Sequence, residues 1–264
     1  MDAAQAIWLA LVQGLTEFLP ISSSGHLVLV PVLLGWPDQG LAFDVAVHVG
    51  SLLAVLAYFR RDLAALIRAV PNALAPGGHR DARLLNHLLL ATLPIVAVGY
   101  GLNGWVGGHL RDAYVIAASM AGFAVVLWLC DRYGSRRATL EALGWRGALF
   151  IGAAQVLALV PGTSRSGITL SAALLVGLTR VDAARFSLLL SIPTIIAAGV
   201  LKGAGLARGA GPVDWPVFGI GIAVSAVSAY LCIALFLRVI ERIGVAPFVL
   251  YRLALGAYLF YVFA

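Results

Sequence analysis

Six long apolar runs constrain this chain more than any other feature. They are Leu41–Phe59, Leu84–Leu102, Tyr114–Cys130, Phe186–Leu201, Pro216–Leu237 and Pro247–Phe263. A helix of about 20 apolar residues crosses a bilayer, and each run approaches that length. The chain is 61% hydrophobic and 11% charged, against about 25% charged in an average soluble domain. A soluble fold of this size cannot bury so much apolar surface, so the chain is expected to be an all-α polytopic membrane protein. Met1–Ala6 lacks the basic start of a cleavable signal, so the first apolar stretch is expected to stay in the fold. Cys130 and Cys232 lie inside apolar runs and are expected to be core thiols, not a disulfide or metal site.

Two further apolar pairs are too short to cross and are split by polar residues. Ala3–Phe18 and Leu27–Leu34 flank Pro20 and Ser22-Ser23-Ser24-Gly25; Gly147–Val160 and Ile168–Leu178 flank Pro161-Gly162 and Ser164-Arg165-Ser166-Gly167. Irregular backbone at membrane depth is tolerated only where it faces protein or a wet cavity, so each pair reads as a re-entrant helical hairpin. An offset of 142 residues superimposes the two breaks and also Gln13 on Gln155. The expected architecture is therefore one membrane domain over 1–264 with two inverted-topology repeats, each a hairpin plus three spans. Repeat one covers about 1–130 and repeat two about 147–264, with an Arg-rich cytoplasmic linker at 131–146. Ala64–Arg83 reads as a polar loop. On this topology three of the 18 basic residues face outward (Arg111, Lys202 and Arg208), Arg165 and Arg252 lie at membrane depth, and the rest are cytoplasmic. That asymmetry obeys the positive-inside rule and puts both termini outside. The net charge of +6 then reports topology, and no nucleic-acid partner is implied. Trp36, Trp105 and Trp215 fall near outer span ends, where indoles favour the interface.

The breaks carry the chemistry. An ionisable group inside a membrane is costly and marks function by default. Hydroxyl-bearing residues lead into a helix at each break, and helix N-termini bind phosphate through exposed N–H groups and the dipole. Gly25, Gly162 and Gly167 permit close backbone approach. The planar fork of Arg165 suits phosphate oxygens. Glu17 can pair with it, hold a cation, or act as acid or base. Ser23 or Ser24 can attack phosphorus if a base such as His26, three residues beyond Ser23, lies within reach. Plainer readings stand beside these. Ser22, Ser23 and Ser24 can simply cap a helix, Glu17 and Arg165 can be a structural pair, and Gln13 and Gln155 can bond backbone between helices. His48 is either within reach of the site or structural. His79 and His109 read as loop residues and His87 as a span-end residue, with no zinc spacing among them.

Two motifs, Gln13-Gly-Leu-Thr-Glu17-Phe-Leu-Pro20-Ile-Ser22-Ser23-Ser24-Gly25-His26 and Pro161-Gly162-Thr163-Ser164-Arg165-Ser166-Gly167-Ile168-Thr169, resemble those of the undecaprenyl-diphosphatase family of bacterial membrane proteins, known for bacitracin resistance. The resemblance runs along the whole chain. It implies hydrolysis of the prenyl diphosphate lipid undecaprenyl diphosphate to undecaprenyl phosphate, the cell-wall lipid carrier, at the outer face of the plasma membrane. It implies a catalytic centre of Glu17, Ser23, His26 and Arg165. Gln13, Ser22, Ser24, Gly162, Ser164, Ser166 and Thr169 are then expected around the diphosphate. A divalent cation, Mg or Ca, is implied with Glu17 as its carboxylate. Many members carry Glu where this chain has Gln13, and a neutral amide is a weaker ligand for a hard cation. Covalent attack by Ser23 and direct attack by water both remain open, as does a homodimer.

Two other classes compete. Ser24-Gly25-His26 resembles one piece of the acid-phosphatase-like lipid phosphatases, whose Lys-rich motif is missing here, since Lys202 is the only lysine. A transporter or flippase of a prenyl phosphate lipid would use the inverted repeat but needs no nucleophile.

Overall fold

A computed structural model describes residues 1–73, 79–102, 113–206 and 214–263. Trp105, His109, Arg111 and Arg208 lie outside these described residues. Within them the chain is helical: α1 (Ala3–Thr16), α2 (Ser23–Leu34), α3 (Gly40–Tyr58), α4 (Arg60–Ala69), α5 (Arg80–Gly101), α6 (Ala113–Tyr133), α7 (Trp145–Gln155), α8 (Arg165–Leu175), α9 (Arg180–Leu206), α10 (Trp215–Ile243) and α11 (Ala246–Phe263). Short 3₁₀ turns follow α4 and α7. Six helices, α3, α5, α6, α9, α10 and α11, are long and apolar enough to cross a membrane. The protein is an all-α polytopic membrane protein. The one extended pairing among the described residues is an isolated bridge between Ala138 and Leu178.

Part of the expected loop at 64–83 is helix instead. Phe59 ends α3 and at once begins α4, whose Leu66 and Ala69 are buried while Ile67 is 69% exposed. Apolar residues spaced three and four apart among arginines make a one-sided helix, and that pattern overrides the loop reading. The spans otherwise fall where the apolar runs are, extended by a turn at ends such as Arg80 and Arg180.

Helix packing positions the site. α3 and α1 lie along α10, while α9 and α7 lie along α5; α3 meets α9 and α6 meets α11. Exchanging the first half of the chain for the second reproduces this set of pairs. Glycine permits two of the close approaches. A Cβ on Gly14 would sit 2.7 Å from the Ser225 carbonyl oxygen of α10, and one on Gly152 would sit 2.4 Å from the Ala91 carbonyl oxygen of α5. Lipid tails give helices no hydrophobic drive to associate, so small residues that let backbones approach supply the packing. α8 is the most enclosed element, with Ser166 to Leu174 all buried. Its Leu170, Ala172, Ala173 and Leu174 belong to the largest core cluster, which anchors the helix that follows the second break. Where the arginines gather, Arg180 of α9 forks onto Asp131 of α6 with two bonds of 2.7 Å, and Arg185 reaches Asp62 of α4 at 2.8 Å. Cys130 and Cys232 are free thiols.

Candidate active site

The two breaks adopt the same local geometry. Ser22 (φ 76°) and Ser164 (φ 71°) both take left-handed backbone just before a helix. Such φ values are uncommon outside glycine and persist only when the surroundings impose them. The hydroxyl of each faces the serine two residues on, at 3.4 Å for Ser22–Ser24 and 3.1 Å for Ser164–Ser166. They then diverge. Ser164 caps α8 by accepting from the Gly167 N–H at 3.1 Å, whereas Ser22 makes no side-chain cap on α2. The serines of the first break are therefore not there simply as helix caps. The breaks touch where the Ser166 hydroxyl donates to the Leu19 carbonyl at 2.7 Å.

Glu17 is the meeting point. It ends α1, one turn beyond Gln13, so both side chains share a helix face. Its Oε2 accepts from the Ser23 hydroxyl at 2.5 Å and from Gln13 Nε2 at 3.1 Å, and its Oε1 accepts from Arg165 Nη2 at 3.2 Å. Arg165 also donates to the Ser187 carbonyl at 3.4 Å. Both members of the pair are largely buried, so each depends on the other for compensation of its charge. His48 Nε2 stands 3.6 Å from Glu17 Oε2. Its Nδ1 lies 2.7 Å from the Asp44 carbonyl and so carries the hydrogen. In the neutral ring this leaves an unprotonated Nε2 beside the carboxylate.

Glu17, Ser22, Ser23, Ser24, His48, Ser164 and Arg165 line the polar floor of a cavity of about 460 Å³. The walls are apolar: Val45, Val49 and Leu52 of α3, Ile95 of α5, and Ile195, Ile196 and Val200 of α9, with Lys202 at the far end. Val49, Ile196 and Val200 are also exposed. A polar floor under apolar walls fits an amphiphile with an anionic head.

The expected site residues are not all in this cavity. His26 is buried away from it. Its Nδ1 bonds the Ser22 carbonyl at 2.7 Å, its Nε2 accepts from the Tyr251 hydroxyl at 2.6 Å, and its ring stacks on Tyr251. Both nitrogens are occupied, and neither meets Ser23. Gln13, Gly162, Ser166 and Thr169 lie behind the floor. Thr169 bonds the Ser187 hydroxyl at 2.6 Å, and Gly162 (φ 89°) packs against the Ile116 carbonyl of α6. Gln13 bonds side chains, Glu17 and Ser51, while Gln155 bonds the Ala91 carbonyl and Thr194.

A divalent cation has one carboxylate to bind here. The described residues contain no cluster of three or more His, Cys, Asp or Glu able to hold a metal. Gln13 Oε1, beside Glu17, is buried without a hydrogen-bond partner. Mg²⁺ is commonly held by one or two carboxylates plus substrate phosphates. Glu17, with Gln13 Oε1 near it, fits that manner of binding.

The family model for bacitracin resistance protein BacA matches residues 6–258. The chain belongs to the BacA family. A relative from Alcanivorax borkumensis named undecaprenyl-diphosphatase is 53% identical over 262 residues, covering 99% of both chains. One of the same name from Teredinibacter turnerae is 52% identical over 261 residues, covering 98% of this chain and 99% of the relative. In this BacA family member, sequence reasoning underrated His48 and passed over Tyr251. His48 was visible as an ionisable residue in an apolar run, whereas nothing in the sequence marked Tyr251 as the partner of His26.

Proposed function

We propose that this protein is a membrane phosphatase that hydrolyses undecaprenyl diphosphate to undecaprenyl phosphate and inorganic phosphate. The observation that carries this reading is the contact of Ser23, Glu17 and Arg165, which joins a nucleophile, a base and a cation from two different breaks on one cavity floor. The relatives of the BacA family that bear the same activity in their names support the substrate.

Arg165 and the N-terminal N–H groups of α2 bind the diphosphate and balance its charge, and charge stabilisation of this kind is the larger part of phosphoryl-transfer catalysis. The Ser23 hydroxyl attacks the terminal phosphorus and passes its proton to Glu17. The bridging P–O bond breaks, and undecaprenyl phosphate departs with the electron pair. Water then attacks the phosphoserine; as the P–Oγ bond breaks, the proton held on Glu17 returns to the Ser23 oxygen and phosphate is freed, leaving Glu17 ionised for the next cycle. A cation held by Glu17 and the substrate would supply further positive charge against the diphosphate. Ser22, Ser24 and Ser164 offer hydroxyls to the phosphate oxygens, while Gln13, Gly162, Ser166 and Thr169 hold the floor in shape. His26 orients the first break.

The two halves form inverted repeats whose broken helices are re-entrant hairpins. The 142-residue match, the paired left-handed serines and the exchangeable packing pairs support this. Beyond the two breaks, the cavity is built from the middle of α3 and the last parts of α5 and α9, on the side away from Arg60, Arg80 and Arg180. Under the positive-inside rule that side is outside, so the site opens to the outer face of the bacterial plasma membrane. Phosphate release from undecaprenyl diphosphate by detergent-solubilised protein, with no second compartment, tests the reading. Binding without release would favour a transporter of the lipid.

A further inference from the structure

Among the described residues the largest fully buried side chain is Arg252 of α11, with 0% exposure. Among the described residues no carboxylate lies within ion-pair distance of it; its partners are backbone carbonyls. Nε donates to Met120 of α6 at 3.1 Å, Nη1 to Pro20 at 3.2 Å, and Nη2 to Gly162 at 3.1 Å and Thr163 at 2.8 Å. A cation in a membrane interior is costly and is retained where carbonyls or anions hold it for function. Packing alone would be met at less cost by an apolar side chain.

The choice of carbonyls points to the purpose. Pro20 and Gly162 are equivalent positions under the 142-residue offset. Each lies two residues before a left-handed serine, Ser22 or Ser164. One rigid fork therefore grips both breaks at the same place in each repeat. Ser23 follows the first grip and Arg165 the second, and their common partner is Glu17. A guanidinium suits this task because its donors are coplanar and fixed, whereas an ammonium is a point donor on a flexible stem.

We propose that Arg252 is a positioning residue that sets the spacing between the two breaks, and through it the alignment of Ser23 with Arg165. This rests on the phosphatase reading above. Arg252→Lys keeps the charge but cannot span carbonyls on both breaks. A displacement of about 1 Å at reacting groups can cost about a hundredfold in rate. The expected result for Arg252→Lys is a fall of that order in kcat per folded molecule, with KM for undecaprenyl diphosphate nearly unchanged. A second variant guards against misfolding. In Gly167→Ala the new Cβ would lie 2.8 Å from Arg252 Nη1 and, less tightly, 3.1 Å from Ser164 Cβ, so the fork is displaced first with the arginine in place; kcat is expected to fall about tenfold. Kinetics and thermal melting of both variants, purified beside wild type, decide the matter. Wild-type kcat per folded molecule in either variant, with only the melting temperature lowered, would make Arg252 merely structural and overturn the proposal. A wild-type protein that releases no phosphate would instead refute the phosphatase reading.

Discussion

Glu17→Gln separates the roles assigned to the carboxylate. The substitution keeps the shape of the side chain and leaves one oxygen to accept from Arg165, at 3.2 Å in the native protein. The other oxygen, which accepts from Ser23 at 2.5 Å and Gln13 at 3.1 Å, becomes an NH₂ donor. Gln13 can answer by turning its amide, since its own Oε1 has no partner. Ser23 cannot, and its proton loses its acceptor. The stability cost is up to about 3–5 kcal/mol, because largely buried Arg165 keeps an acceptor but loses the charge that compensates it. The rate cost, read per folded molecule, is separate. Loss of a positioned base costs about 10²–10⁴-fold, or roughly 3–5 kcal/mol in the barrier. KM is expected to hold or fall, because an anion leaves the neighbourhood of the diphosphate and Arg165 is freed to bind it. Steady-state phosphate release and thermal melting in the same detergent measure both quantities. A kcat within tenfold of wild type, or an effect confined to KM, would refute the assignment of Glu17 as the base.

Other substitutions probe the surroundings. Arg165→Lys loses the fork, and kcat/KM in the same assay is expected to fall at least about a hundredfold, the loss of one or two charge-assisted hydrogen bonds. Tyr251→Phe leaves His26 Nε2 without its donor; we expect about 1–3 kcal/mol less stability on melting and less than a tenfold change in kcat. A loss as large as that of Glu17→Gln would instead bring His26 into the chemistry. Gly152→Ala drives a methyl into the Ala91 carbonyl at 2.4 Å, so denaturation is expected to come about 1–3 kcal/mol easier while folded molecules turn over normally.

The sequence told most where polar residues break an apolar background. Glu17, the three serines and Arg165 were conspicuous because a bilayer tolerates such groups only for a reason, and the structure brings Glu17, Ser23 and Arg165 into contact. Long spans were equally plain, since length and hydropathy together define them. The parts that were not legible depend on rotation about helix axes. Placing Ser23 and His26 three apart allowed them one face, but α2 begins at Ser23 and turns His26 toward Tyr251 of α11, more than two hundred residues away. His48 takes the place beside Glu17 through the packing of α3 against its neighbours, which no local pattern encodes. α4 escaped notice because Arg60-Arg61-Asp62 reads as a stop, although its apolar residues repeat at helical spacing.

The account stands or falls on Ser23 as the group that takes the phosphoryl. Rapid quenching of the purified protein with undecaprenyl diphosphate labelled in its terminal phosphate, followed by mapping of the labelled peptide, tests this directly. The expected result is label on Ser23 that appears before free phosphate, together with loss of both label and turnover in Ser23→Ala. Full phosphate release by Ser23→Ala, or turnover with no labelled peptide at any time, would contradict it.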